Sequence, residues 1–144
     1  MGLTSATVHA MENLIEVIKS RLSKYPGVRY ETSDSSITVF PNADNGFEVN
    51  LTIHDANSYM VSFYAWHEEI ESEDEAVNLF ALGLSNECRL KEYRRGKSPY
   101  KWTMEYLEDG QWQEYATTAL VLFPFWKKSS VRYLQNDLIK LKHD

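Results

Sequence analysis

A single cysteine, Cys88, stands in 144 residues. An intrachain disulfide is therefore impossible, and no zinc cage built on several thiolates can form within one chain. Glycine and proline are also sparse, at six and four. No Gly/Ser/Pro-rich linker, low-complexity tract or composition shift divides the chain, so residues 1–144 are expected to form a single domain. No apolar run approaches the length that spans a bilayer. The start of the chain lacks the basic-then-apolar pattern of a secretory signal, because Glu12 and Glu16 interrupt the one candidate segment. A cytoplasmic protein with no membrane partner is the expectation. Positive charge is in the minority, with 15 Lys and Arg against 21 Asp and Glu for a net charge of -6. That balance disfavours a general role on nucleic acid or on anionic membrane, since both depend on a positive field. Signatures of catalysis are missing too: there is no Gly-x-Ser-x-Gly, no phosphate-cradling glycine loop and no His-Glu-x-x-His. No cofactor and no metal are implied.

Aromatic residues are abundant, with four Trp, nine Tyr and six Phe, and this speaks for an ordered core. Val8, Met11, Ile15, Ile18, Leu22 and Tyr25 recur at spacings of three and four, which predicts an amphipathic helix capped by Thr4 or Ser5 and ended at Pro26. Val28–Thr32 and Ile37–Phe40 read as two short strands or one bent one. Phe47, Val49, Leu51 and Ile53 alternate with polar residues, as in a half-buried strand. Tyr59–Trp66 is apolar on both faces and reads as one central strand. Ser72 and Glu75 form a capping box for a second helix, with Gly83 as its left-handed end. Cys88 and Leu90 open a further strand. Ala119–Phe123 reads as a strand and Ser129 or Ser130 as the cap of a last helix bearing Val131, Leu134, Leu138 and Leu141. The predicted fold class is α+β: a largely antiparallel sheet of five to six strands with helices on one face, in the order α-β-β-β-α-β-β-β-α.

Residues 102–115 contain a hairpin. Two registers compete for it. A three-residue loop closed by Gly110 pairs Leu107 with Gln111 and places Tyr106 opposite Trp112. A two-residue Asp109-Gly110 loop sets Glu105 across from Glu114, a like-charge contact worth some tenths of a kcal/mol against it. The three-residue loop is therefore expected. It collects Tyr100, Trp102, Met104, Tyr106 and Trp112 on one aromatic face, which either the protein or a ligand must cover.

Four groups of residues are candidates for function. His67 and Glu69 share a face at the end of the Tyr59–Trp66 strand, where a base and an orienting carboxylate would stand. The six acids between Glu68 and Glu75 suit a solvated helix start. Arg89, Lys91, Arg94, Arg95, Lys97 and Lys101 concentrate positive charge beside Tyr93, Tyr100 and Trp102, and Arg94, Arg95 and Lys97 occupy a hairpin tip that either recognises an acidic partner or discourages edge pairing. Trp66, Trp102, Tyr106 and Trp112, with Arg89, are candidate ligand contacts.

By element order, the chain resembles small bacterial secretion-chaperone-like domains, which bind extended polypeptide as dimers. That resemblance covers most of the chain, rests on no motif and assigns no residue; it implies a protein partner and a homodimer. The functional expectation is a non-catalytic binding module that holds a partner protein or a small acidic ligand on an aromatic sheet face beside a basic hairpin. The alternative is a small hydrolase or isomerase using His67 with Glu69.

Overall fold

The computed structural model describes residues 5–142, and its side chains from Leu14 onward. The Thr4 cap and the Val8 and Met11 side chains lie outside that description. The element order is α1 (Ser5–Leu22), β1 (Arg29–Thr32), β2 (Ser36–Phe40), β3 (Val49–Asp55), β4 (Ser58–Phe63), β5 (Trp66–Ile70), α2 (Glu73–Leu84), β6 (Cys88–Arg95), β7 (Ser98–Glu108), β8 (Gln111–Ala119) and β9 (Ser129–Leu134). The class is α+β, as the patterning predicts. The strands, however, form two antiparallel sheets rather than one, ordered β1-β2-β3-β4-β5 and β8-β7-β6-β9. The nine strands and two helices of the described residues also depart from the secretion-chaperone-like order.

Three local expectations change. Tyr59–Trp66 is not one central strand, because the chain reverses at Tyr64-Ala65 and Phe63 pairs with Trp66. Tyr64 sits at a φ of 56° without being glycine, held by its N–H to the Glu48 carbonyl at 3.0 Å and by its ring edge-on to Trp102. Ala119 ends β8, so residues 120–123 lie in a loop. The predicted last helix is replaced at its start by β9, whose Arg132 pairs with Glu92 of β6. A six-residue run whose hydrophobes are Val131, Tyr133 and Leu134 suits either period, and the open edge of β6 selects the strand.

The core lies between the inner faces of the two sheets and α2, which packs against β3, β4, β5 and β6. Ile37, Val39, Val49, Leu51, Val61 and Phe63 come from the first sheet; Cys88, Leu90 and Met104 come from the second; Trp66 and Leu84 join them, all buried. Ser72 caps α2 as expected by accepting from the Glu75 N–H at 3.3 Å. Gly83 is no left-handed terminus. It lies inside the helix, and a Cβ there would stand 2.3 Å from the Phe63 ring, so glycine lets α2 settle directly onto β4. Beyond β9, the buried Asn136 amide donates to the carbonyls of Phe47 and Gly83 at 3.0 and 2.9 Å and accepts from the Phe47 N–H at 3.1 Å. One side chain thus ties the last segment to the entrance of β3 and to the end of α2.

Candidate functional site

The β7–β8 hairpin decides which residues reach solvent. Glu108 pairs with Gln111, Leu107 with Trp112 and Tyr106 with Gln113, so the two-residue Asp109-Gly110 turn is the one adopted. Its residues have φ of 52° and 77°, both in the left-handed region that matches the twist of the flanking strands. The pairing of Glu105 with Glu114 that counted against this register is relieved, because Arg89 Nε lies 2.6 Å from Glu105 Oε1. A like-charge contact with a cation bound to one partner no longer carries the bare repulsion. The pairing then shifts between Met104 and Glu105, leaving Tyr115 as the extra residue. Since neighbouring residues point to opposite faces, the single-residue change in register moves Trp112 away from Tyr106 and onto the other side of the sheet.

The expected aromatic face is thereby divided. Trp66 and Trp102 are buried in the core, with their indole N–H groups satisfied by the Ala116 carbonyl at 3.1 Å and by Glu92 Oε2 at 3.0 Å. Tyr106 lies half-buried on that same inner side. Glu92 is fully buried, with Arg132 Nη2 2.9 Å away and Arg94 Nε 3.6 Å away, so the carboxylate is enclosed by an indole and two guanidinium groups.

The outer face of the β6–β9 sheet carries a different constellation. Arg89 and Lys91 from β6, Lys101 from β7, Trp112 from β8 and Tyr133 from β9 converge there through the register of the ladders. The Arg89 guanidinium lies 4.2 Å from the ring centres of both Trp112 and Tyr133, a double cation–π contact. Tyr93 stands between Lys91 and Lys101, whose ammonium groups are 5.0 and 4.1 Å from its ring centre. A hydrogen bond with Tyr93 holds the pKa of Lys91 above its usual value, so this group stays cationic. These side chains are half-buried or exposed. The arrangement offers fixed positive charge between aromatic planes, which suits a carboxylate or phosphate with an apolar neighbour. Lys91, Lys101 and Tyr93 are legible in the sequence as a basic run with an aromatic between; Tyr133 joins them only because residues 129–134 form a strand beside β6 rather than the predicted helix.

The tip residues have structural duties. Arg94 Nη2 donates to the Lys97 carbonyl at 3.0 Å and Arg95 Nη1 to the Lys127 carbonyl at 3.5 Å, while Lys97 is exposed. His67 and Glu69 are both exposed on β5, an edge strand, opposite Ser62 and Met60. They share a face, as the alternation predicts. Among the described residues, no helix is long and apolar enough to cross a membrane. No family model, curated protein or solved structure matches the chain.

Proposed function

We propose that the protein is a non-catalytic binding module that holds an acidic group, carried by a partner protein or a small ligand, on the outer face of the β6–β9 sheet. The observation that carries this reading is the Arg89 guanidinium fixed between Trp112 and Tyr133 with Lys91 and Lys101 nearby. Rings and the Glu105 carboxylate hold the arginine in one orientation before any ligand arrives, which lowers the ordering cost of capture. Trp66 and Trp102 fall out of the contact surface and serve the core. Trp112 and Arg89 remain in it.

A hydrolase or isomerase using His67 and Glu69 draws no comparable support, since both are solvated on an edge strand. Thermal-shift screening of small carboxylates, phosphates and Glu-rich peptides tests the proposal, because a ligand that binds only the native state raises Tm. At least one class is expected to raise it, with the shift lost in Lys91→Ser/Lys101→Ser. A complete absence of shifts, or shifts indifferent to that double substitution, would overturn the assignment.

A further inference from the structure

The loop between β8 and β9 breaks the ordinary rule for apolar side chains. Val121 is 93% exposed, Leu122 87%, Phe125 69% and Trp126 72%. Four large hydrophobes within six residues form a contiguous apolar protrusion, of the kind that marks a protein or membrane contact. The loop is also held in shape. Phe123 stacks on Tyr100 with ring centres 4.2 Å apart, the Leu120 N–H donates to the Tyr100 carbonyl at 2.8 Å, and the Lys127 N–H donates to the Pro124 carbonyl at 3.0 Å. Its root is fastened to the β6–β7 tip through the Gly96 N–H and the Lys128 carbonyl at 2.8 Å. Lys127 and Lys128 are thereby brought beside Arg94, Arg95 and Lys97. No Asp or Glu occurs from Tyr93 to Lys101 or from Tyr115 to Asn136. An acidic molecule thus presents, at one end of its second sheet, an apolar tip inside a basic collar.

We infer that this end docks on a lipid surface containing anionic headgroups, with Val121, Leu122, Phe125 and Trp126 entering the interface and the collar meeting the phosphates. The charge pattern selects this occupant. A symmetric contact with a second copy would press two identical cationic collars together. Pairing the tip instead with the acidic Glu68–Glu75 segment of another copy is head-to-tail and does not close unless the rotation happens to form a ring. An anionic interface answers both halves of the patch at once, apolar depth for the rings and negative charge for the lysines. The net charge of -6 argued against such a surface only while charge was averaged over the chain.

Co-sedimentation of the full chain with phosphatidylglycerol–phosphatidylcholine vesicles and with phosphatidylcholine vesicles, at low and high salt, tests the inference. Binding to the anionic vesicles alone, weakened by salt, is expected, with a blue shift in tryptophan emission that Trp126→Phe removes. Phe125→Ser/Trp126→Ser and Lys127→Ser/Lys128→Ser should each reduce partitioning by roughly tenfold or more. Both pairs are exposed, so circular dichroism and Tm should stay at the parent values. Failure to bind anionic vesicles at low salt would overturn the inference. So would binding indifferent to Phe125→Ser/Trp126→Ser, which is charge attraction without insertion. Concentration-dependent self-association in sedimentation velocity, abolished by that variant while vesicles are ignored, would assign the tip to a protein contact instead.

Discussion

Gly83 and Cys88 show how tightly α2 and β6 meet the core. Replacing Gly83 by Ala puts a methyl group against Phe63, with ring atoms at 2.3 and 2.5 Å, so helix and strand must separate. Overpacking of this kind costs about 1–3 kcal/mol, more than alanine's better helix propensity returns. Urea unfolding of Gly83→Ala should show that loss as a lower midpoint with an unchanged slope. Cys88 is wholly buried, and burial pushes its thiol pKa well above the usual 9.0. The native state therefore keeps its proton while the unfolded chain releases it. Above about pH 9 the unfolded state binds fewer protons, and stability falls by up to about 1.4 kcal/mol per pH unit from this group. Tyr115, pushed up to about 12 by desolvation and by its hydrogen bond to Glu68, and Tyr59, raised by burial, act in the same direction above their usual 10.0. The expected result is level stability toward neutral pH and a decline on the alkaline side, with Cys88 blocked from thiol reagents until the protein unfolds. A stability maximum in alkaline solution, or rapid native labelling, would contradict it.

Elements were legible where a local rule fixed them. The Ser72 cap, the alternation through β3 and the presence of a reversal at Gly110, though not its two-residue loop, follow from side-chain chemistry within a few residues. The misreadings came from partners distant in sequence. Nothing near Glu105 indicates that Arg89, sixteen residues earlier, stands ready to neutralise it, so the correct register looked unfavourable. Nothing in Tyr64-Ala65 announces a turn, since neither residue is a usual turn former. Residues 129–134 became strand because β6 offered a free edge and Glu92 a buried charge for Arg132. The hairpin account predicts a particular coupling. Arg89→Ala should cost about 1–3 kcal/mol through the stranded Glu105 carboxylate and the lost stacking. Glu114→Gln should be close to neutral in the parent and restore part of the loss in Arg89→Ala. Strict additivity in a double-mutant cycle would deny that Glu114 and Arg89 share Glu105's neighbourhood.

At the scale of the whole molecule, segregation of charge and apolar surface matters more than composition. The chain's acidic average conceals a basic and aromatic outer face on the second sheet and a basic collar at its end. The sequence revealed the local run of cations but not which face they share, because that depends on a register that one residue can invert. The remaining candidates divide by burial: Trp66, Trp102 and Glu92 support the core, while Arg89, Lys91, Lys101, Trp112 and Tyr133 form a continuous surface across four strands. Any acidic ligand held there should bind more weakly as salt rises, since the lysines are partly solvated.

Titration of the isotopically labelled protein with the acidic ligand that raises Tm, whether carboxylate, phosphate or Glu-rich peptide, followed by amide chemical shifts, tests the assignment of that face most directly. Saturable shifts confined to Arg89, Lys91, Tyr93, Lys101, Trp112 and Tyr133 and their ladder neighbours, absent in Lys91→Ser/Lys101→Ser, are predicted. Shifts gathered instead around His67 and Glu69 on β5, or no saturable response at all, would contradict the account.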